Sequence, residues 1–305
     1  MSYNSLVGTT LSLTALLIFS LNIIVTRMAT ALVDLSIGFL VSVSINVVVA
    51  GMFLSIQLGL SPSWPAWNWL AFANFALAGV FATFLGRWLF FESIVSLGAA
   101  RASAFQVSSP IFVALFGAAL FGDKLSLGVS AGIVTTVGGL VILSLSGRNT
   151  MIADANQQRT QYSRLLILGL GASAAYAIGN LFRGAAIRAW NEPIFGALIG
   201  ALSGLLLHLI FSKERQSWVK AVRSGNRHGL YLYVISGILT ITGQILMIAS
   251  MAFIPIATAA VITLCTPLLV LPLSYLWLKN HDNINFYTVL GVLLSVSGVA
   301  IVITN

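Results

Sequence analysis

The chain has 305 residues, of which 58% are hydrophobic and 7% charged, with a mean hydropathy of +1.00 and a formal charge of +8. Soluble domains carry about 25% charged residues, so a water-soluble globular fold is excluded; apolar stretches of bilayer-spanning length recur along the chain and predict a polytopic membrane protein. The single cysteine, Cys265, excludes an internal disulfide framework or a Cys-rich metal or iron–sulfur site, and His208, His228 and His281 lack metal-ligand spacing.

Crossing a hydrocarbon core about 30 Å thick takes about 20 helical residues. Apolar runs of that length predict ten spans, at 6–28, 35–58, 67–91, 99–121, 126–147, 164–189, 193–212, 229–251, 256–278 and 284–304. They are helical because they lack the alternation of a barrel strand, and lipid offers no partner to an unpaired backbone. The first is not a signal peptide, although Ala29-Thr30-Ala31 follows it: its start is uncharged and its apolar run is too long. Most connections are short, and the longer polar ones lie at 148–163 and 212–228.

An internal repeat orders these spans. A shift of 157 residues places Gly86 on Gly243, Arg87 on Gln244, Ala102 on Ala259, Ser109 on Thr266 and Pro110 on Pro267. After a two-residue insertion, Gly132 falls on Gly291 and Gly139 on Gly298; at a shift of 158, Asn22 falls on Asn180. The predicted organisation is a five-span repeat over 1–147, a polar linker over 148–163 and a second repeat over 164–305. Five spans per half forces opposite orientations, so the expected fold is an all-α membrane protein of two inverted five-helix repeats around a central cavity.

The loops after odd-numbered spans hold eleven Lys and Arg residues, Lys213, Arg215, Lys220, Arg223 and Arg227 among them; the other side has Lys124 and Arg188. The positive-inside rule puts the eleven-charge side in the cytoplasm and both termini outside. The basic 213–227 loop can meet anionic lipid headgroups. Topology therefore explains the charge without a nucleic-acid partner.

Two five-span halves, each with small residues, a mid-helix proline and a short charged turn (Ala102 to Lys124, Ala259 to Asp282), resemble the EamA-type drug/metabolite transporters over nearly the whole chain. Within them the likeness is greatest to the YddG-type exporters of aromatic amino acids. The second turn departs from the usual acidic form, reading Lys279-Asn280-His281-Asp282 against Gly122-Asp123-Lys124. The resemblance implies cytoplasmic termini, against the charge count; the charge count is kept.

Polar groups within spans are costly in lipid and usually face a bundle interior or a wet cavity. Arg87, in the third span, is the foremost candidate to hold a substrate carboxylate, with Phe84, Trp88 and Phe91 as flanking rings. Its alternative is a structural arginine bonded to backbone carbonyls. Asn22 and Asn180 are repeat mates expected near the pseudo-twofold axis, and Tyr176 shares a face with Asn180. Gln106 and Thr263 are paired one turn before the prolines, and Gln244 is the mate of Arg87. Hydrogen bonding between helices is the alternative for the amides. Pro110 and Pro267, each lacking an N–H, are candidate gating points, and packing explains them equally well. Gly196, Gly200 and Gly204 form a stripe suited to close helix packing.

The match of Gly128 to Gly132 to a nucleophile elbow, and of Gly169-Leu170-Gly171 to a dinucleotide fingerprint, lack a preceding strand and are rejected. The seven acids, Asp34, Glu92, Asp123, Asp154, Glu192, Glu214 and Asp282, fall in loops or near span ends. This disfavours a carboxylate-based proton cycle for cationic drugs and leaves His208 as the intramembrane proton carrier to test. The expected function is a secondary transporter of amino acids, aromatic ones included, and related metabolites, acting as a monomer with membrane lipids and a small-molecule substrate as partners and no cofactor or metal. The alternatives are a multidrug exporter of the same fold, a channel or an integral-membrane enzyme.

The orientation predicts that Ser217→Cys, in a Cys265→Ser background, is shielded from a membrane-impermeant thiol reagent in intact cells. Labelling from outside would reverse the topology while leaving the fold intact.

Overall fold

The computed structural model describes residues 3–61, 65–109, 111–112, 127–145, 155–211, 225–254, 256–278 and 284–304. The first two spans are α1 (Tyr3–Thr30) and α2 (Leu35–Leu60). The third joins α3 (Trp69–Ala78), a π-helix (Gly79–Gly86) and α4 (Arg87–Leu97) end to end. α5 (Ala99–Gln106) belongs to the fourth, and α6 (Leu127–Leu145) is the fifth. In the second half, α7 (Ala155–Ala189), α8 (Pro193–Phe211) and α9 (Arg227–Ser250) are followed by α10 (Ile256–Leu264) and α11 (Thr266–Trp277), which share the ninth span, and by α12 (Phe286–Thr304). Among the described residues, five helical stretches are long and apolar enough to cross a membrane: Ser5–Thr30, Leu35–Leu60, Trp69–Leu97, Pro193–Phe211 and Arg227–Ser250.

Two helix limits differ from the sequence reading. The third span continues to Leu97, so Glu92 lies within it and not beyond its end. What stops it is Gly98, whose φ of 82° is open to glycine and strained for other residues. In turn, α7 starts at Ala155 and not at 164. Its first residues, Ala155-Asn156-Gln157-Gln158-Arg159, end the apolar run without being helix breakers.

Packing follows the repeat. α1 runs antiparallel to α9: a Cβ on Gly8 would press on Ile254, one on Gly243 would press on Phe19, and Thr26 pairs with Ser236. The mates of these helices, the third span and α7, are also antiparallel, with Gly86 facing Ala175 and Tyr176, and Gly179 facing Ala82. α2 lies parallel to α9, with Gly38 on Tyr233 and Gly237 on Ile45. Its counterpart is the parallel contact of the third span with α8, Phe75 on Gly196, Gly79 on Gly200 and Thr83 on Gly204. The glycine stripe of α8 is thus used within the monomer.

The crossing of α6 and α12 shows the symmetry most directly. A Cβ on Gly139 would lie 2.7 Å from the Gly291 carbonyl oxygen, and one on Gly298 would lie 2.7 Å from that of Gly132. Gly132 and Gly291 are mates, as are Gly139 and Gly298, so each contact is the image of the other. A twofold axis in the membrane plane, running between inverted repeats, produces this pattern.

Gly79→Ala would bring a methyl group to 2.5 Å from the Gly200 carbonyl oxygen, whereas a Cβ on Gly51 meets nothing within 4 Å. Gly79→Ala is predicted to destabilise by about 1–3 kcal/mol and to lower the melting temperature in detergent, with Gly51→Ala unchanged or slightly more stable.

Candidate functional site

At the interface of the two repeats lies a cavity with about 850 Å³ of atom-free space, its mouth included. Of its eighteen lining residues, twelve form six repeat-equivalent pairs: Asn22 with Asn180, Thr83 with Thr240, Arg87 with Gln244, Phe90 with Met247, Gln106 with Thr263, and Ser109 with Thr266. The duplicated fold therefore supplies a nearly symmetric polar and aromatic wall. The departures from symmetry carry the charge: Arg87 faces a mate that is glutamine, and Arg183 occupies a place held by Val25 in the first repeat.

Arg87 is buried, and most of its hydrogen-bonding capacity is used by neutral groups. Nη2 donates to Ser42 Oγ and, at 3.2 Å, to Thr240 Oγ1. With the Asn46 amide turned to satisfy its neighbours, its oxygen accepts from Arg87 Nη1 at 2.6 Å while its nitrogen donates to the Ser42 and Gly237 carbonyls at 2.9 and 2.8 Å. The guanidinium also lies over the rings of Phe91 and Phe39, at 5.2 and 5.9 Å, a favourable placement for a cation. Among the described residues no carboxylate is within ion-pair distance of it, and Nε has no hydrogen-bond partner.

Arg183 is held more loosely. Its Nη1 donates to Asn180 Oδ1 at 3.0 Å, the one hydrogen bond of its guanidinium among the described residues. Tyr176, Asn180 and Arg183 follow one another at i, i+4 and i+7 on α7, which puts all three on the face that lines the cavity. Tyr176 lines the same cavity as both guanidiniums.

The cavity floor is made where two helices are interrupted. Val107 N and Ser108 N donate three residues back, to Ala104 and Phe105, and Cys265 N does the same to Ile262. Past each break, the matched bonds Ile111 N to Ser108 O and Leu268 N to Cys265 O restart the chain. Proline chemistry accounts for the position. Lacking an N–H, Pro110 leaves the Gln106 carbonyl, which accepts instead from Ser173 Oγ at 3.2 Å. Pro267 leaves the Thr263 carbonyl, which accepts from Thr266 Oγ1 at 3.3 Å. Pro110 itself lies outside the described residues; Pro267 is buried at the start of α11.

Seven of the nine binding candidates, Arg87, Asn22, Asn180, Tyr176, Gln106, Gln244 and Thr263, line this one cavity. Gln244 Oε1 and Thr83 Oγ1 are buried there without a hydrogen-bond partner. Asn22 Oδ1 accepts from Ser236 Oγ at 2.7 Å, so this amide also fastens α1 to α9. Phe84 and Trp88 are not brought to the cavity: Phe84 packs on Phe39 and Phe211, and Trp88 on Phe39 and His208. Both turn toward Phe39 of α2, the ring that Arg87 also lies over, so they flank the guanidinium from the α2 side and not from the cavity. His208 is buried in the same aromatic cluster, 4.7 Å from the Phe39 ring centre, and does not line the cavity. Arg183, Phe19, Phe90, Thr240 and Ser109 were not among the sequence candidates. The charge of Arg183 inside a span was a visible signal.

A profile of the EamA-like transporter family matches the sequence twice, over residues 6–145 and 163–304. One solved crystal structure superposes with a TM-score of 0.62 over 97% of both chains at 17% identity, a likeness of fold. Comparison with curated proteins returns no match.

Asn46→Leu is predicted to strand the Arg87 Nη1 donor in the core and to destabilise by about 2–3 kcal/mol, read as a lower melting temperature in detergent. An unchanged value would mean that Arg87 does not depend on this amide.

Proposed function

The chain belongs to the EamA-like transporter family, and from that premise we propose that it carries amino acids, aromatic ones included, and related small metabolites by alternating access. As a family member it is a multi-pass membrane transporter of small molecules. The observation that carries the finer reading is the pair of buried guanidiniums on a cavity lined, among the described residues, by no acid. A cation in a membrane interior needs an anion or water to balance it, and a substrate carboxylate can accept the paired N–H groups of an arginine. Phe19, Phe90, Phe91 and Tyr176 supply apolar and aromatic wall for the remainder of the substrate.

The repeat provides the moving parts. Two helices interrupted at equivalent depth, on either side of a pseudo-twofold axis, can change angle in alternation and expose the cavity to one face and then the other. The proposed setting is a bacterial-type inner membrane with both termini on the extracytoplasmic side, and the carrier acts as a monomer.

Counterflow of labelled amino acids in proteoliposomes tests this reading. Saturable exchange is expected; unsaturating conductance would indicate a channel, chemical conversion an enzyme, and exchange restricted to cationic drugs a multidrug exporter. Pro267→Ala restores a backbone donor and stiffens the ninth span. It is predicted to slow exchange several-fold while substrate affinity changes less, and weakened binding at unchanged turnover would refute the hinge role.

A further inference from the structure

Both arginines line the same cavity, and their relation to it differs. Arg87 is spent largely on Ser42, Asn46 and Thr240, which fixes its position without cancelling its charge, because all three are neutral. Arg183 gives one hydrogen bond to Asn180, and the rest of its fork is available to a ligand. The two residues are 3% and 5% exposed, so solvent screening of either charge is small. The described acids are placed elsewhere: Asp34 precedes α2, Glu92 lies on α4 outside the lining, and Glu192 accepts from Gln57 at 2.9 Å near the start of α8. A zwitterionic amino acid would bring one carboxylate and one ammonium, which leaves the occupied site with the same net charge of two as the empty one.

We infer that the cavity selects substrates with two anionic groups, one for each guanidinium: dicarboxylates, acidic amino acids included, are preferred over monocarboxylates of similar size. This rests on the carrier function proposed above and deepens it. Tyr176, on the same cavity wall as both cations, contributes a hydroxyl that can donate to a carboxylate. The repeat explains why the selectivity is one-sided. The mates Gln244 and Val25 are uncharged, so both cations stand where the two repeats differ.

The test is a counterflow panel on the full-length protein in proteoliposomes, comparing glutamate and succinate with alanine and phenylalanine. The dicarboxylates are expected to show at least ten-fold higher kcat/KM. Arg183→Gln should lower that ratio at least ten-fold, chiefly through KM, while Arg183→Lys keeps the charge and recovers part of it. Equal or better exchange of the neutral amino acids by the parent protein would overturn the two-anion inference and leave the carrier function standing. No exchange of any carboxylate would overturn both. Should Arg183→Gln fail to fold, the parent panel alone decides the matter. Loss of all substrates in equal proportion by a folded Arg183→Gln would also overturn the inference.

Discussion

The buried guanidinium of Arg87 is the constraint on which the cavity depends. A cation in the middle of a bilayer is tolerated where most of its donors are satisfied and its charge faces protein or water. Here α2 supplies Ser42 and Asn46, α9 supplies Thr240, and Phe39 and Phe91 place their rings against it. Those helices must come very close for this to happen. Gly38 on Tyr233 and Gly237 on the Ser42 carbonyl are the contacts that allow it, since a Cβ at either would overlap its neighbour. The polar cluster therefore joins both repeats, and the neutrality of its members leaves a positive charge at the cavity wall.

Symmetry supplies much of the rest of the cavity. Duplication pairs Asn22 with Asn180, Gln106 with Thr263 and Thr83 with Thr240, and it places a helix break before Pro267 to match the one at Ser108. Even the cysteine obeys it: Cys265 stands where the first repeat has Ser108. The π-helix of the third span is a local departure. Its mate, the 236–243 stretch of α9, is regular α-helix. The π-helix ends directly before Arg87, so the backbone irregularity and the added charge coincide, as π-segments commonly do with functional positions.

Much of this was legible in the sequence because the repeat is. Shifted identities identify which residues must lie near the axis, and seven cavity residues follow from that and from the cost of polarity in lipid. Other features required long-range knowledge. Nothing in Gly79-Val80-Phe81-Ala82-Thr83-Phe84-Leu85-Gly86 announces a π-helix, and nothing in the sequence shows that Phe84, although it meets the same ring as Arg87, stays outside the cavity. Hydropathy falls at Glu92 and sets the expected span end at residue 91, although the helix continues to Leu97. Ser42 and Asn46 had no sequence mark tying them to Arg87, and Arg183 was conspicuous as an intramembrane charge with nothing to say which cavity it would face.

The central claim is that a substrate carboxylate pairs with guanidiniums that no acid of the cavity wall compensates. Calorimetric binding of phenylalanine and of phenylalaninamide to the purified protein measures it directly, because the two ligands share a ring and an amine and differ in the carboxylate. At least ten-fold tighter binding of phenylalanine is predicted, and equal or tighter binding of phenylalaninamide would contradict the account.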